Sequence, residues 1–296
     1  KKGNTKVFEN LVLKESLNLP LTSKGRIVSS KEALISYKNH PFIKAYLDFK
    51  GFEKQNNFLK ELNAPRIHPS YNSIKRTCRT SSSKPNMQNM PRIGGIRECF
   101  VPAPGHVFLD CDYSSIELVA IASITKRLFK NSVMADLLNN GRDLHRYAAS
   151  NIHKVPESEV TKDQRQLAKA LNFGLVANMS GETFIGQAIK YGVVVTAEEG
   201  EALKKQWKSV FPEMGKYWKR GFGKNTCITD TGMIRAGCTY TMYLNLPMQL
   251  KVAEGAKLAA YYLWRAGFKV VAFIHDQVLV EYPIEGAEKA LEEVKN

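Results

Sequence analysis

The 296-residue sequence has few cysteines and arranges none of them for cross-linking or metal binding. Its five cysteines are odd in number and form no Cys-x-x-Cys pair, which argues against a disulfide framework or a structural zinc site. No apolar run approaches the roughly 20 residues needed to span a bilayer, and residues 1–20 do not show the pattern of a signal peptide. We therefore expect reduced thiols in an intracellular protein with no membrane partner.

Acidic residues are scarce relative to basic ones. The 28 Asp and Glu residues against 43 Lys and Arg leave a net charge of +15, which favours a polyanionic partner such as a nucleic acid. Composition alone leaves open a protein whose lysines simply face solvent. A hydrophobic content of 44% and a length beyond the usual single core predict a folded protein of two or three subdomains.

The residue patterns along the chain predict a mixed α+β fold. Residues 1–63 follow a helical period, with an apolar stripe whose last members are Phe49 and Phe52. Residues 131–222 are mostly helical, and the acids after Thr196 indicate a helix start there. The remaining predicted elements are loops and short strands over residues 66–91, strands at 107–112, 269–274 and 278–282, a hairpin around 230–232, and helices from 116 and over about 247–266.

Two aspartates, Asp112 and Asp276, each follow a predicted buried strand. A sheet that pairs those strands would bring two carboxylates from distant parts of the sequence to one point. Magnesium prefers hard oxygen ligands and keeps waters and substrate phosphates in its shell, so such a pair predicts a magnesium site. Taken alone, an aspartate at a strand end is more often a cap or turn residue.

A basic stripe is predicted on the helix over residues 165–174. Arg165, Lys169, Phe173 and Ala177 recur every four residues and so share one helix face. Two cations followed by an aromatic ring would meet the phosphates and then the sugar or base of a nucleotide. The alternative is a solvated basic face with Phe173 turned to the core.

Five stretches in register resemble the signatures of family A DNA polymerases. Their order and spacing fit the family across residues 66–282. They are residues 77–82 with 85–91, 112–118, 165–174, 245–249 and 274–277.

The resemblance implies a right-hand polymerase fold, α+β in class. It implies a partial helical thumb over residues 1–63, a palm with an antiparallel sheet over 64–130 and 226–296, and helical fingers over 131–225; the first palm segment includes the primer–template contact loop. The implied function is template-directed DNA synthesis, in which deoxynucleoside monophosphates from dNTPs are added to a primer 3′-hydroxyl. The implied cofactors are two Mg²⁺ ions, with Mn²⁺ as a substitute. No stretch resembles a proofreading exonuclease.

Residue roles follow from the same resemblance. Asp112 and Asp276 match the metal ligands, helped by the Tyr113 carbonyl, and Lys169 matches a cation that also protonates the leaving group. Glu117 matches the steric gate that excludes a ribose 2′-hydroxyl. The implied nucleotide-binding residues are Arg165, Lys169, Phe173, Glu117, His145, Tyr113 and Ser114. The implied contacts to primer or template are Arg79, Asn86, Gln88, Asn245, Gln249 and His275.

Several positions depart from the family pattern. Ala177-Asn178 stands where a Tyr-Gly pair is usual, so the ring beside the template base is missing. Gln277 replaces a second acid after Asp276, and Glu281 could not simply replace that acid. Ser115 and Thr241 stand where Gln and often Arg occur. We interpret the chain as a divergent branch with retained activity and altered fidelity or lesion tolerance.

Two other functions stay open at this point. One is a single-subunit RNA polymerase of related fold, against which Glu117, Phe173 and the His275-Asp276 context argue. The other is a degenerate subunit that binds primer–template without catalysis. The resemblance also implies a piece of a longer protein, with flanking exonuclease, primase or helicase domains or replisome proteins as possible partners. It would act at DNA in a bacterial or phage-infected cytoplasm or in an organelle matrix.

Overall fold

The computed structural model describes most of the chain, and it divides the chain into two compact units, Lys1–Lys60 and Glu61–Asn296. The described residues are 5–17, 37–92, 94–180, 195–221, 225–229 and 231–295, with 19, 27, 34, 183–185 and 188. Within them, no helix is long and apolar enough to cross a membrane. The fold is mixed α+β, as the sequence predicts.

The described residues form both helices and strands. The helices are α1 (Thr5–Lys14), α2 (Pro41–Leu59), α3 (Ile116–Phe129), α4 (Val133–Asn139), α5 (Leu144–His153), α6 (Lys162–Leu175), α7 (Ala197–Val210), α8 (Pro212–Trp218), α9 (Tyr240–Arg265) and α10 (Ala287–Lys295). The strands are β1 (Ser70–Asn72), β2 (Ser81–Ser83), β3 (His106–Asp112), β4 (Cys227–Ile228), β5 (Ile234–Arg235), β6 (Lys269–Ile274) and β7 (Gln277–Pro283).

The first unit is helical where it is described. Phe8 and Val12 of α1 pack with Ile43 of α2 in a small apolar core. The predicted apolar stripe of α2 is wrong at its end, because Phe49 and Phe52 are 55% and 67% exposed. The described core draws on the first turns of α2, and the helix continues past it, so its later aromatics are left outside this cluster.

A three-stranded antiparallel sheet in the order β3-β7-β6 lies in the second unit. One face is apolar: Leu109, Val278 and Val280 pack with Ala290 of α10 and with the end of α9. The predicted pairing is wrong in one respect, since β7 lies between the two strands that precede the aspartates. Those strands are also less buried than expected, because their other face is partly open. The short β4 and β5 form the predicted hairpin, although Asp230 lies outside the described residues.

Helices α3 to α8 share the largest core with the first half of α9. Helices α6 and α7 both begin with a capping box, in which a threonine accepts from the third helical N–H and a Gln or Glu side chain accepts from the cap N–H. The helix start predicted at Thr196 is therefore confirmed. These caps satisfy backbone N–H groups that have no partner within the helix.

The predicted start of α9 is wrong by seven residues, because the helix begins at Tyr240 and Pro247 lies inside it. Proline removes the N–H that would bond to the carbonyl of Tyr243 four residues earlier. Arg220 supplies the missing donor, since its Nη2 lies 3.2 Å from that carbonyl oxygen. The guanidinium also stacks on the rings of Tyr217 and Tyr243 at 4.1 and 4.5 Å.

We expect Arg220→Met to destabilise the protein because it removes the hydrogen bond that Nη2 donates to the Tyr243 carbonyl. The loss in free energy of unfolding should be about 1–2 kcal/mol, as for other hydrogen bonds from charged groups. Urea unfolding followed by circular dichroism measures it.

Pro247→Ala provides the matched control, because alanine restores the N–H that α9 lacks. In that background Arg220→Met should cost less, and the difference isolates the hydrogen bond from the stacking on the two tyrosines. Equal costs in the two backgrounds would show that Arg220 does not compensate for the proline.

Candidate functional site

Asp112 and Asp276 meet at one end of the three-stranded sheet. Asp112 is the last residue of β3, and Asp276 lies in the two-residue turn between β6 and β7. The antiparallel register places Asp112 directly opposite Gln277, the residue after Asp276. The sheet therefore brings the two carboxylates close together.

Negative charge is concentrated at this end of the sheet. The pKa of Asp112 is raised above its ordinary value; partial burial is the largest cause, and the charges of Asp276 and Asp110 act in the same direction. A hydrogen bond from the backbone N–H of Tyr113 opposes them. Asp110 accepts a hydrogen bond from Nε2 of Gln277 at 2.5 Å. Among the described residues, no cluster of three or more His, Cys, Asp or Glu side chains is arranged to hold a metal ion.

The turn from β3 into α3 presents polar groups next to this pair. Tyr113 and Ser114 are exposed, and Ser115 adopts a left-handed conformation (φ 53°) as the N-cap of α3. Glu117 in the first turn accepts a hydrogen bond from Nη2 of Arg79 at 2.6 Å, an ion pair that is about one-third exposed on both sides. The structure thus joins the predicted sugar gate to a predicted primer contact.

Arg165 and His145 are brought together by Asp143, a residue that the sequence analysis did not single out. One oxygen of Asp143 caps α5 by accepting from the N–H groups of His145 and Arg146, and the other accepts from Nε of Arg165 at 2.8 Å. Burial works against ionisation of Asp143, but these hydrogen bonds prevail and its pKa is lowered. Asp143 therefore fixes the start of α5 and orients the guanidinium on α6.

A second missed residue, Asn172, lies on the core side of α6. It is fully buried and hydrogen-bonds both Nδ1 of His145 and Nε1 of Trp207. The ring of Phe173 lies 5.6 Å from that of His145. Burial is the main reason why the pKa of His145 is lowered to about 4. A polar residue among Ala168, Leu171 and Leu175 is the signal that could have predicted such a network.

The residues predicted to contact DNA lie in the segment 77–91, in the β6–β7 turn and on α9. Asn86 and His275 are exposed, and His275 adopts φ 62° in the turn. Gln88 is 7% exposed and its amide nitrogen donates to Thr80 and to the carbonyl of Phe273 in β6, so it anchors the loop to the sheet. Asn245 and Gln249 are half-buried, one helical turn apart on α9. Their contacts to DNA stay predictions.

The predicted stripe on α6 is wrong at Ala177, because the helix ends at Leu175. Asn178 ends this segment in a left-handed conformation (φ 57°) and its side chain donates to the Tyr240 hydroxyl. Asparagine tolerates this conformation better than most residues, so Asn178 suits a position where the resemblance predicts glycine. Arg165, Lys169 and Phe173 remain on one face.

A groove of about 600 Å³ crosses the open face of the sheet beside the aspartates. Its walls include Arg66, Arg97, Phe108 and Glu281, and it reaches Gln277. None of the predicted site residues lines it. The candidate site therefore lies outside this groove, at the sheet end and on α5 and α6.

We expect Asp143→Ala to lower the free energy of unfolding by about 1 kcal/mol near neutral pH, the usual loss for a helix N-cap. Because the folded-state pKa is lowered, this stabilisation is complete above the ordinary carboxyl pKa of about 3.9 and is lost as the pH falls through the folded-state value. Urea unfolding of both proteins from about pH 7 to about pH 3 should show the difference shrinking.

Asp143→Asn is the control, because it keeps the capping oxygen and removes only the charge, and its loss near neutral pH should be smaller. An alanine loss that stays constant with falling pH would contradict the role of the ionised carboxylate.

Comparison with known proteins places this geometry in a family. The sequence model described as DNA polymerase family A matches residues 5–296. DNA polymerase I of Aquifex aeolicus is 33% identical over 303 residues, covering 95% of this chain and 51% of that protein. The thermostable DNA polymerase I of Thermus aquaticus is 28% identical over 316 residues, covering 94% of this chain and 37% of the relative. The chain thus spans between about a third and a half of these relatives.

A solved structure shares the fold. It is described as the POL domain of Pol1 from M. smegmatis in complex with DNA primer-template and dNTP; the TM-score is 0.83 at 26% identity, over 99% of this chain and 56% of that one. The family match covers nearly the whole chain, and the fold match extends over both units. The chain belongs to DNA polymerase family A.

Proposed function

We propose that this chain carries out template-directed DNA synthesis, adding deoxynucleoside monophosphates from dNTPs to a primer 3′-hydroxyl. The observation that carries the proposal is the meeting of Asp112 and Asp276 at the sheet end, in a chain of this family. The charge of +15 suits a nucleic-acid partner. A structural relative holds DNA primer-template and dNTP, which supports the same partners here.

The two aspartates suit a pair of Mg²⁺ ions, or Mn²⁺ in their place. Burial and the nearby charges of Asp276 and Asp110 raise the pKa of Asp112, and a bound cation would favour its ionised form instead. Two carboxylates, the Tyr113 carbonyl, triphosphate oxygens and water form the oxygen-rich set that Mg²⁺ prefers. Bound there, the ions would supply activation of the 3′-hydroxyl and charge neutralisation on the phosphates.

The residues on α5 and α6 are proposed to hold the triphosphate. The hydrogen bond to Asp143 occupies Nε of Arg165 and leaves its two Nη groups to bind phosphate oxygens side by side. Lys169, one turn further along the same face, adds a second positive charge and donates a proton to the departing pyrophosphate as the primer 3′-oxygen bonds to the α-phosphorus. Ser114 and His145 complete the set.

Glu117 and Phe173 are proposed to select the deoxyribose. Phe173 packs on the sugar, and the Glu117 side chain fills the space of a 2′-hydroxyl. The ion pair with Arg79 supports this role, because it holds the carboxylate in one place. Arg79 is itself proposed to contact primer or template. Asn86, Gln88, Asn245, Gln249 and His275 are proposed to contact primer or template through minor-groove acceptors common to all correct pairs.

The subdomains are proposed from the resemblance to family A polymerases. Residues 1–63 are proposed as part of the thumb, 64–130 and 226–296 as the palm, and 131–225 as the fingers. The sheet with both aspartates falls in the proposed palm, and α5 and α6 fall in the proposed fingers. Proofreading by this chain is not part of the proposal.

We expect Asp112→Ala or Asp276→Ala to abolish primer extension while primer–template binding persists. Loss of a metal-binding carboxylate removes several kcal/mol of transition-state stabilisation, or at least about a thousandfold in rate. Extension of a labelled primer with Mg²⁺ and each dNTP singly measures the rate, and fluorescence anisotropy of the primer–template measures binding.

Asp136→Ala is the control, because Asp136 is an exposed aspartate that pairs with Lys126 away from the sheet end. It should leave extension unchanged. Extension that survives Asp276→Ala would contradict the metal assignment. Tight binding without extension by the unaltered chain would instead indicate a binding subunit.

We expect Glu117→Ala to admit ribonucleotides. The ratio of kcat/KM for a dNTP to that for the matching ribonucleotide should fall at least tenfold, or about 1.4 kcal/mol, because the clash with the 2′-hydroxyl is removed. Single-nucleotide extension with both substrates measures the ratio.

Glu98→Ala serves as the control, since Glu98 is exposed in a short 3₁₀ turn and has no proposed substrate contact. Its ratio should match that of the unaltered chain. If the unaltered chain used both sugars equally well, Glu117 would not be a gate and an RNA polymerase activity would be favoured.

A further inference from the structure

Three helices meet at a buried chain of polar side chains that ends at His145. Trp207 on α7 and Asn172 on α6 are 0% exposed, and His145 on α5 is 5% exposed. Nε1 of Trp207 lies 2.7 Å from Oδ1 of Asn172, and Nδ2 of Asn172 lies 2.8 Å from Nδ1 of His145. Because unsatisfied polar groups are costly in such an interior, the position of each hydrogen is constrained.

The chemistry of the indole fixes the orientation of the Asn172 amide. An indole N–H can only donate, so the amide oxygen must face Trp207 and the NH₂ group must face His145. An NH₂ group also only donates, so Nδ1 of His145 must accept with its lone pair. A neutral imidazole carries a single proton, which is therefore on Nε2.

The surroundings keep this ring neutral near pH 7. Burial lowers the pKa of His145 to about 4; Asp143 opposes this shift, and the positive charges of Arg165 and Lys169 add to it. Because the charges of Arg165 and Lys169 act on the ring, His145 lies close to the residues proposed to bind the triphosphate. Nε2 has no hydrogen-bond partner among the described residues, so its proton is available for a ligand.

We propose that Asn172 and Trp207 are positioning residues that hold His145 as an Nε2–H donor to the triphosphate of the incoming nucleotide. The inference rests on the proposed function, which places that triphosphate beside Arg165 and Lys169. The opposite tautomer would turn a lone pair toward the phosphate oxygens and repel them. A neutral donor instead adds a directional hydrogen bond where two cations already supply the charge.

The tautomer can be read directly in the unaltered protein. Long-range ¹H–¹⁵N correlation spectra distinguish a protonated from an unprotonated ring nitrogen, and the His145→Gln variant identifies the signals of His145. We expect Nδ1 without a proton and Nε2 with one at about pH 7. An Nδ1–H tautomer or a doubly protonated ring would overturn the proposal without any change to Asn172 or Trp207.

Trp207→Phe removes the indole N–H that orients the amide. The amide of Asn172 then becomes free to turn over, and the His145 signals should show a mixture of tautomers. The apparent Kd for the correct dNTP in primer extension should rise about three- to tenfold, the loss expected for one neutral hydrogen bond. Primer–template affinity should not change.

The chain offers a matched control in Trp218. This tryptophan stacks on Trp207 at 5.9 Å, is 8% exposed, and donates its indole N–H to the carbonyl of Val176 at 3.3 Å, outside the buried chain. Trp218→Phe makes the same chemical change in the same core. Because the Trp218 indole does not bond Asn172, this variant should leave both the tautomer and the dNTP Kd unaltered. Equal effects of the two variants would assign a packing role to Trp207 and overturn the proposal.

The pair His145→Gln and Trp207→Phe completes the test. If Trp207 acts through His145, the double variant should bind dNTP no more weakly than His145→Gln alone. Additive losses would overturn the positioning role. Absence of extension by the unaltered chain would overturn the proposed function instead, and it would remove the triphosphate as the ligand of His145 whatever the spectra show.

Discussion

The register between β3 and β7 is the constraint on which the candidate site depends. Burial of Leu109, Val278 and Val280 against α9 and α10 decides which face of the sheet is covered. Antiparallel strands alternate their side chains, so a slip by one residue would turn every side chain of β3 to the other face. Hydrophobic packing on one face therefore positions Asp112 beside the turn that carries Asp276, although neither aspartate belongs to the core.

In the helical part of the second unit, buried polar groups rather than apolar packing position the site residues. Two buried side chains, Asn172 and Trp207, tie α5, α6 and α7 together, and one carboxylate, Asp143, both caps α5 and orients Arg165. Polar groups in a core require complete hydrogen bonding, and this requirement limits each helix to one rotation about its axis. His145 consequently lies near enough to Arg165 and Lys169 of α6 for their charges to lower its pKa.

The departures from the family pattern are accommodated by local compensation. Asn178 takes a left-handed conformation where glycine is usual, and it hydrogen-bonds Tyr240. Gln277, in place of an acid, donates to Asp110, a carboxylate on the same face of the sheet as Asp112. The Asp110 carboxylate therefore lies at the same end of the sheet as Asp112 and Asp276. Family membership and fold are unaffected by these changes.

The sequence by itself determined the class of fold, most element positions and the motifs that placed the chain in a family, because periodicity, caps and signature residues are local. It failed where distant residues intervene: Pro247 lies inside α9 because Arg220 replaces the lost donor, and β7 separates β3 from β6. The roles of Asp143, Asn172 and Trp207 were likewise decided only in the tertiary structure. The hydrogen bonds between Asp143 and Arg165, Asn172 and His145, and Trp207 and Asn172 join residues 22 to 35 positions apart. No local pattern encodes which of these polar groups will meet.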